Sequence, residues 1–180
     1  MTDVDRFEAF VRLYQDMVFA TAVRLVGRPA DAEDIAQTVF LRAFERFDAV
    51  SASPFPGAWL KKVTTNLCLN HLSRYRSRWR FFSELEGGGE ADPCPMATHA
   101  SVGPLPDAAL EQADRQAQLE RALRALPDHQ RVPLVLFHFE EQSYQEIAAV
   151  LGVSVGKIKT DIHRGRQSLR HWLHDDDRAS

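Results

Sequence analysis

Basic side chains gather in two short stretches of this 180-residue chain. Residues 61–80 hold six Lys and Arg and no acidic residue, and residues 154–174 hold five Lys and Arg against a single acid, Asp161. Such clusters attract polyanions by releasing counterions, so their affinity depends on salt. A solvated helix face explains either cluster alone equally well. Two clusters, each at the end of a block with helical apolar spacing, favour nucleic acid as the ligand.

The second cluster lies within residues 143–170, which have the spacing of a helix-turn-helix. Ala148 supplies the small residue needed where two helices pack closely, Gly152 supplies positive φ in the turn, and Ile158 supplies the aliphatic anchor of the second helix. An ordinary antiparallel helix pair with a glycine turn is the alternative. Asp161 would repel a phosphate, but it would accept from cytosine or pair with a neighbouring Arg. The side chains expected to contact base edges and phosphates are Lys157, Lys159, Thr160, His163, Arg164 and Arg166.

The elements that position the first cluster are predicted to be helices. Apolar residues recur at helical spacing from Phe7 to Leu25, and Gly27 with Pro29 ends that helix. A second helix is expected to open at Asp31, with acids in its first turn. Residues 48–57 are predicted to be a loop from their Ser, Pro and Gly content, and a third helix is expected over about residues 58–78.

The second cluster is preceded by short helices. One is predicted to end at Pro127, and the next to cover residues 128–140, with Pro133 bending it or delaying its start. Ser143 and Glu146 have the spacing of a capping box for a helix over Tyr144–Leu151. A last helix is expected to run from a cap at Ser154 to about Leu173.

An acidic segment separates the two helical blocks. Residues 81–114 hold seven acids and no Lys or Arg, together with three consecutive glycines and four prolines. This composition disfavours helix and strand. The sequence therefore predicts an all-α fold in which two small helical domains, residues 1–80 and 111–175, are joined by a flexible acidic linker over residues 81–110, with a tail at 176–180.

Membrane and secreted classes find no support in the sequence. No apolar run approaches the roughly 18–20 residues that span a bilayer, and the acidic start lacks the pattern of a secretory signal. Cys68 and Cys94 are too few for a disulfide framework or a four-ligand zinc site. We therefore expect a cytoplasmic protein without membrane insertion.

Catalysis is equally unsupported, because the sequence has no glycine-rich phosphate loop and no recognisable pairing of a nucleophile with a base. His171 and His174 have the spacing of a metal-binding pair, but a solvated pair is the favoured interpretation. The sequence predicts no enzyme, no cofactor, no metal and no small-molecule substrate.

The whole chain resembles one family, the extracytoplasmic-function sigma factors of bacterial RNA polymerase, over roughly residues 5–80 and 111–174. The string DAEDIAQTVFLRAFERF at 31–47 is similar to region 2.2 of that family, which docks on the clamp helices of the polymerase β′ subunit. Residues 53–78 resemble the segment that melts the promoter and reads its minus-10 element. Residues 126–170 resemble region 4, which reads the minus-35 element and would include the helix-turn-helix.

The resemblance implies roles for particular residues. Trp59 and Asn66 match positions that shape a pocket for a flipped base, which needs stacking and edge hydrogen bonds. The loop before Trp59 is one residue longer than is usual in the family, which leaves the preferred base open. The residues expected at the minus-10 element are Phe55, Trp59, Asn66, Asn70, Arg74, Arg76 and Arg78. The residues expected to bind polymerase are Asp31, Asp34, Gln37, Phe40 and Leu41.

The partners implied are core RNA polymerase (its β′ clamp helices and β flap), promoter DNA and an anti-sigma factor. The resemblance also implies that the acidic linker threads the RNA-exit path, although a plain soluble tether explains the same composition. Two other hypotheses stay open at this point. One is a stand-alone helix-turn-helix regulator that binds duplex DNA through residues 111–174, and the other is a helical adaptor that binds another protein.

Overall fold

A computed structural model describes residues 3–73 and 108–179 of the chain. The chain divides into two units, Met1–Phe81 and Phe82–Ser180. All regular structure within the described ranges is α-helical, which confirms the predicted class. The first unit contains α1 (Asp3–Val26), α2 (Pro29–Phe44), α3 (Phe47–Ser51) and α4 (Pro56–Ser73). The second contains α5 (Ala108–Ala125), α6 (Asp128–His138), α7 (Tyr144–Leu151) and α8 (Val155–Ala179).

The core of the first unit forms where α1, α2 and α4 pack against one another. Val18, Leu25, Val39 and Leu60 are completely buried there. Burying an aliphatic side chain of this size stabilises a fold by about 1.5–3 kcal/mol. The predicted stop of α1 is confirmed, since the helix ends at Val26 and Gly27 follows with a φ of 77°.

The predicted loop over residues 48–57 is partly wrong. The short helix α3 occupies its first part, because Val50 inserts into the core with only 5% of its surface exposed. Phe47, at the start of α3, packs edge-on against Phe7 and Phe10 of α1. The next helix begins at Pro56, two residues before the predicted start. Proline is favoured at a first helical position because its missing N–H needs no partner there.

The core of the second unit forms where α5, α6 and α7 pack with α8. Val135, Ile147, Ile158 and Ile162 are buried within it, which confirms Ile158 as an anchor. A Cβ on Gly165 would lie 2.9 Å from Leu134 Cδ1 and 3.3 Å from the Gln130 carbonyl oxygen. The close approach of α8 to α6 therefore requires a glycine at this position.

Both ends of α7 have the predicted chemistry. Ser143 Oγ accepts from the Glu146 backbone N–H at 3.3 Å, and Glu146 Oε2 accepts from the Ser143 N–H at 2.8 Å, so the capping box is confirmed. Gly152 ends α7 with a φ of 69°, and its N–H donates to the Ala148 carbonyl at 2.9 Å. This left-handed cap directs the chain into α8.

Two predictions about the other helices of this unit need correction. Pro133 does not delay the start of α6, which begins at Asp128 as expected and continues past the proline. Pro133 is buried on the packed side of the helix, where its ring adds apolar contact area. The last helix is longer than predicted and ends at Ala179 rather than near Leu173.

The linker was predicted over residues 81–110. Residues 81–107 lie outside the described residues, and α5 begins at Ala108, within the last three residues of the predicted linker. The boundaries of the two domains otherwise remain predictions. Among the helices described, none is long and apolar enough to cross a membrane. Within the same ranges, no group of three or more His, Cys, Asp and Glu side chains is placed to hold a metal ion.

Candidate nucleic-acid and polymerase interfaces

One side of α8 turns away from the core and carries a line of polar side chains. Lys159, Gln167 and Arg170 are exposed along it, and His163 lies between them, half-buried. Successive members are three or four residues apart, so they share a face of the helix. The line begins near the N-terminal end of α8, the end from which recognition helices contact base edges.

Thr160 and Arg164 flank this line, and both are half-buried. The Thr160 hydroxyl donates to the Gly156 carbonyl at 3.1 Å, which leaves its oxygen lone pairs as acceptors. Both side chains remain consistent with the contact surface predicted from the sequence.

The predicted DNA contact Lys157 is engaged within its own helix. Its Nζ donates to Asp161 Oδ1 at 3.2 Å and lies equally close to Oδ2, and only 20% of the Lys157 side chain is exposed. Asp161 is buried, with 3% of its surface exposed. The expectation that Asp161 reads a base or pairs with an Arg is therefore wrong: its partner is a lysine, and its carboxylate is inside the unit.

Arg166 reaches back toward α6. Its Nε and one terminal nitrogen lie 3.1 and 3.0 Å from His138 Nε2, and its guanidinium sits 5.6 Å from the centre of the Phe137 ring. Phe137 in turn stacks on Tyr144 of α7 at a ring distance of 4.7 Å. Arg166 thus joins three helices of the unit, and the sequence assignment of Arg166 to DNA competes with this structural contact.

In the first unit, α4 presents a second polar face. Trp59, Asn66 and Asn70 recur at helical spacing on one side of it, Trp59 half-buried and both asparagines exposed. Phe55 precedes the helix with 74% of its surface exposed. An aromatic ring beside amides supplies stacking and hydrogen bonds to an unpaired base. The three remaining predicted minus-10 residues, Arg74, Arg76 and Arg78, lie outside the described residues.

A wide apolar groove of about 820 Å³ runs between α1 and α2. Three of the predicted polymerase contacts, Gln37, Phe40 and Leu41, line it on the α2 side. Leu41 is 65% exposed and Phe44, also in the groove, is 55% exposed. Large apolar side chains that are exposed to solvent in a groove are typical of a protein-binding site.

The two acidic residues predicted to bind polymerase lie away from this groove. Asp31 Oδ2 is ion-paired with Arg28 Nε at 2.6 Å, at the start of α2, and lies 3.5 Å from His71 Nε2 of α4, so this carboxylate lies where α2 packs against α4. Asp34 is exposed and lines a smaller pocket of about 320 Å³ between those helices, together with Asn70. The structure therefore separates the predicted polymerase contacts into three residues that line the groove and two acidic residues that lie outside it.

Sequence reasoning missed several members of these surfaces. Phe44 follows Leu41 by three residues, so the helical period alone would have found it. Lys62 lies three residues after Trp59 and is exposed on α4, and Gln167 and Arg170 continue the spacing of Lys159 and His163. Phe19 of α1 had no comparable signal, because its place in the groove depends on how α1 packs against α2.

Comparisons with known proteins agree with this arrangement of two helical units. The family model described as Sigma-70 region 2 matches residues 10–79, and the one described as Sigma-70, region 4 matches residues 116–169. These matches define the class as a sigma-70 type protein with regions 2 and 4.

Individual relatives narrow the class. The ECF RNA polymerase sigma factor SigW of Bacillus subtilis is 31% identical over 173 residues, covering 96% of this chain and 91% of that protein. The RNA polymerase sigma-E factor of Streptomyces avermitilis is 35% identical over 175 residues, covering 97% and 89%. A solved complex of the sigma factor RpoE with the anti-sigma factor NepR from Bartonella quintana matches 94% of this chain and 97% of that chain, at 25% identity and a TM-score of 0.48.

The chain therefore belongs to the extracytoplasmic-function sigma factors of bacterial RNA polymerase. Membership decides between the hypotheses left open by the sequence. The protein is an initiation factor that works with core RNA polymerase at promoters, and neither a stand-alone regulator nor a helical adaptor.

Proposed function

We propose that this sigma factor divides its work between three surfaces described above, within the predicted domains at 1–80 and 111–175. The groove between α1 and α2 docks on the β′ clamp helices, the polar face of α4 reads the minus-10 element, and the exposed line of α8 reads the minus-35 element. The observation that carries the proposal is the exposure of Lys159, Gln167 and Arg170 on one side of a helix-turn-helix.

The groove suits a helical coiled-coil partner. Its walls combine exposed Leu41 and Phe44 with polar Gln37 and Glu33 at the edge. Apolar anchors in a groove with a polar rim are the usual anatomy of a protein–protein hot spot. Asp34, exposed at the smaller pocket between α2 and α4, adds a polar contact outside the groove, whereas Asp31 is ion-paired with Arg28 and lies against His71 of α4.

The two DNA surfaces differ in the state of the DNA they fit. The exposed line lies on the second helix of a helix-turn-helix, the helix that enters the major groove of duplex DNA in this motif. The α4 face offers Trp59, Asn66 and Asn70 for an unpaired base, and exposed Lys62 beside them for the backbone. Because this face would bind the unpaired strand, its binding energy would favour melted over paired DNA. The proposed mechanism includes no covalent step.

Two measurements distinguish the proposed surfaces: competition for core polymerase and use of promoter elements by the assembled holoenzyme. Gln37→Ala is expected to weaken competition for core polymerase and to leave the promoter preference of the assembled holoenzyme unchanged. Lys159→Ala is expected to weaken use of the minus-35 element and to leave polymerase competition unchanged. Loss of polymerase binding in Lys159→Ala, with normal binding in Gln37→Ala, would contradict the assignment.

We further propose that the protein acts in the cytoplasm, where RNA polymerase works, and that an anti-sigma factor regulates it, as family membership implies. An anti-sigma factor that covers the α1–α2 groove would compete with core polymerase for Leu41 and Phe44. Displacement of a bound anti-sigma factor by core enzyme is the corresponding measurement.

A further inference from the structure

A partly buried ion pair lies within the basic stretch of α8. Asp161 is the single acidic residue in the stretch 154–174, which also holds five Lys and Arg. Only 4% of its side chain is exposed, and both of its oxygens lie 3.2 Å from Lys157 Nζ. The pair spans one turn of the helix, so no other element has to move for it to form.

The surroundings of Asp161 explain why it keeps this partner. Burial raises the pKa of the Asp161 carboxyl above its ordinary value, and Lys157 opposes the rise most strongly. His129 of α6 and Arg164 of α8 face the same carboxyl and act in the same direction as Lys157. A charged carboxylate at this depth needs a cation beside it, because desolvation without a partner is costly.

Lys157 occupies a position that matters for DNA. It is the third residue of α8, in the first turn, next to the cap that Ser154 provides through the Lys157 N–H at 3.2 Å. A lysine on that turn, released into solvent, would reach phosphates of any duplex, since phosphate contacts carry no sequence information. Lys159 is exposed two residues further on.

We propose that Asp161 is a specificity-determining residue that acts through Lys157: it holds the lysine ammonium against the helix and withholds it from DNA phosphates. Contact with DNA then depends on the exposed line that contains Lys159 and His163. The inference rests on the proposed role of α8 at the minus-35 element and goes beyond it, because it assigns a buried acid the task of suppressing attraction to random DNA.

The test uses the full chain with a short duplex of arbitrary sequence and measures affinity by fluorescence anisotropy over a salt series. Asp161→Asn keeps the shape of the side chain and removes the charge that restrains Lys157. One added phosphate contact steepens the dependence of log K on log salt by about 0.9, which corresponds to roughly eightfold tighter binding at about 0.1 M salt. A role in packing alone would change the thermal midpoint without steepening this slope.

Two further variants isolate the lysine. Lys157→Gln combined with Asp161→Asn is expected to return the slope to the wild-type value, because the added contact comes from Lys157. Asp114→Asn makes the same change of net charge at an exposed position on α5 and is expected to leave the slope unchanged. An Asp161→Asn chain that binds no better than wild type, or a gain that persists without Lys157, would overturn the inference.

Failure of the inference can be told from failure of the proposed function. Lys159→Ala is expected to lower both affinity and slope if α8 contacts DNA at all. A weakened Lys159→Ala beside an unchanged Asp161→Asn refutes the role of Asp161 alone. An unchanged Lys159→Ala refutes the placement of α8 on DNA.

Discussion

The glycines of α8 offer a direct test of how this helix, which we propose reads DNA, is held on the second unit. Gly156 and Gly165 lie on the same helix, but a Cβ added to Gly156 would meet only Ser154 Oγ, at 4.0 Å. A Cβ added to Gly165 would lie 2.9 Å from Leu134 Cδ1 and 3.3 Å from the Gln130 carbonyl. Leu134 is 3% exposed, so its methyl group cannot turn out into solvent, and the Gln130 carbonyl belongs to the backbone and cannot rotate away.

The magnitudes follow from two opposing effects. Replacing a helical glycine by alanine stabilises a protein by about 0.5–1 kcal/mol, and Gly156→Ala should show a gain at the low end because it lies in the first turn. Overpacking a core costs about 1–3 kcal/mol. Gly165→Ala should therefore lower the free energy of unfolding by about 1 kcal/mol, and Gly165→Val by about 3 kcal/mol or more, because valine adds bulk and loses helix propensity.

The assay is urea unfolding of the full chain by circular dichroism, combined with hydrogen exchange of the α6 and α8 amides, which reports on the second unit itself. The expected order of stability is Gly156→Ala, wild type, Gly165→Ala and Gly165→Val. If Gly165→Ala is as stable as Gly156→Ala, then α8 does not approach α6 as closely as the structure requires.

Three further predictions concern docking, the buried pair and the helix cap. Leu41→Asp should weaken binding to core polymerase by at least about 2 kcal/mol, a loss typical of a hot spot. Leu13→Asp changes a similarly exposed leucine outside the groove and should leave this binding unchanged. Competition binding measures both variants, and equal losses would refute the groove assignment. Lys157→Gln should destabilise the fold by about 1–3 kcal/mol at neutral pH, because it leaves the Asp161 carboxylate buried without its lysine. Because the pKa of Asp161 is raised, ionisation of this carboxyl disfavours the fold as pH rises through that pKa. The difference in unfolding free energy between Lys157→Gln and wild type, measured by urea unfolding, should therefore shrink in acid. A difference that does not depend on pH would contradict the pairing. Ser143→Ala should lower the free energy of unfolding by about 1 kcal/mol, because the helix cap is lost. Hydrogen bonds from Ser143 lower the pKa of Glu146. The protection of α7 amides from hydrogen exchange should therefore fall in the wild type as pH falls through that lowered pKa, but not in Glu146→Gln.

Local rules account for what the sequence predicted well. The capping box of Ser143 and Glu146, the left-handed Gly152 and the stop at Gly27 all depend on neighbours within four residues, and each is found in the structure. The exposed line on α8 was largely predictable for the same reason, because helical spacing places Lys159 and His163 on one face.

Contacts between distant residues account for the rest. The i,i+4 spacing of Lys157 and Asp161 was visible, but the burial of Asp161 depends on how the helices of the unit pack together. Arg166 meets His138, 28 residues away along the chain, and no periodic pattern indicates that contact. The α1–α2 groove likewise needs the packed pair of helices before Phe19 and Phe44 come together.

The measurement that tests the central claim most directly is binding of the full chain, at controlled salt, to bacterial core RNA polymerase and, in parallel, to duplex DNA alone. A sigma factor should bind the core enzyme tightly, should select and melt promoter DNA only within that complex, and should show no preference for promoter over arbitrary duplex on its own. Sequence-specific binding to duplex DNA without polymerase, together with no affinity for the core enzyme, would contradict the account.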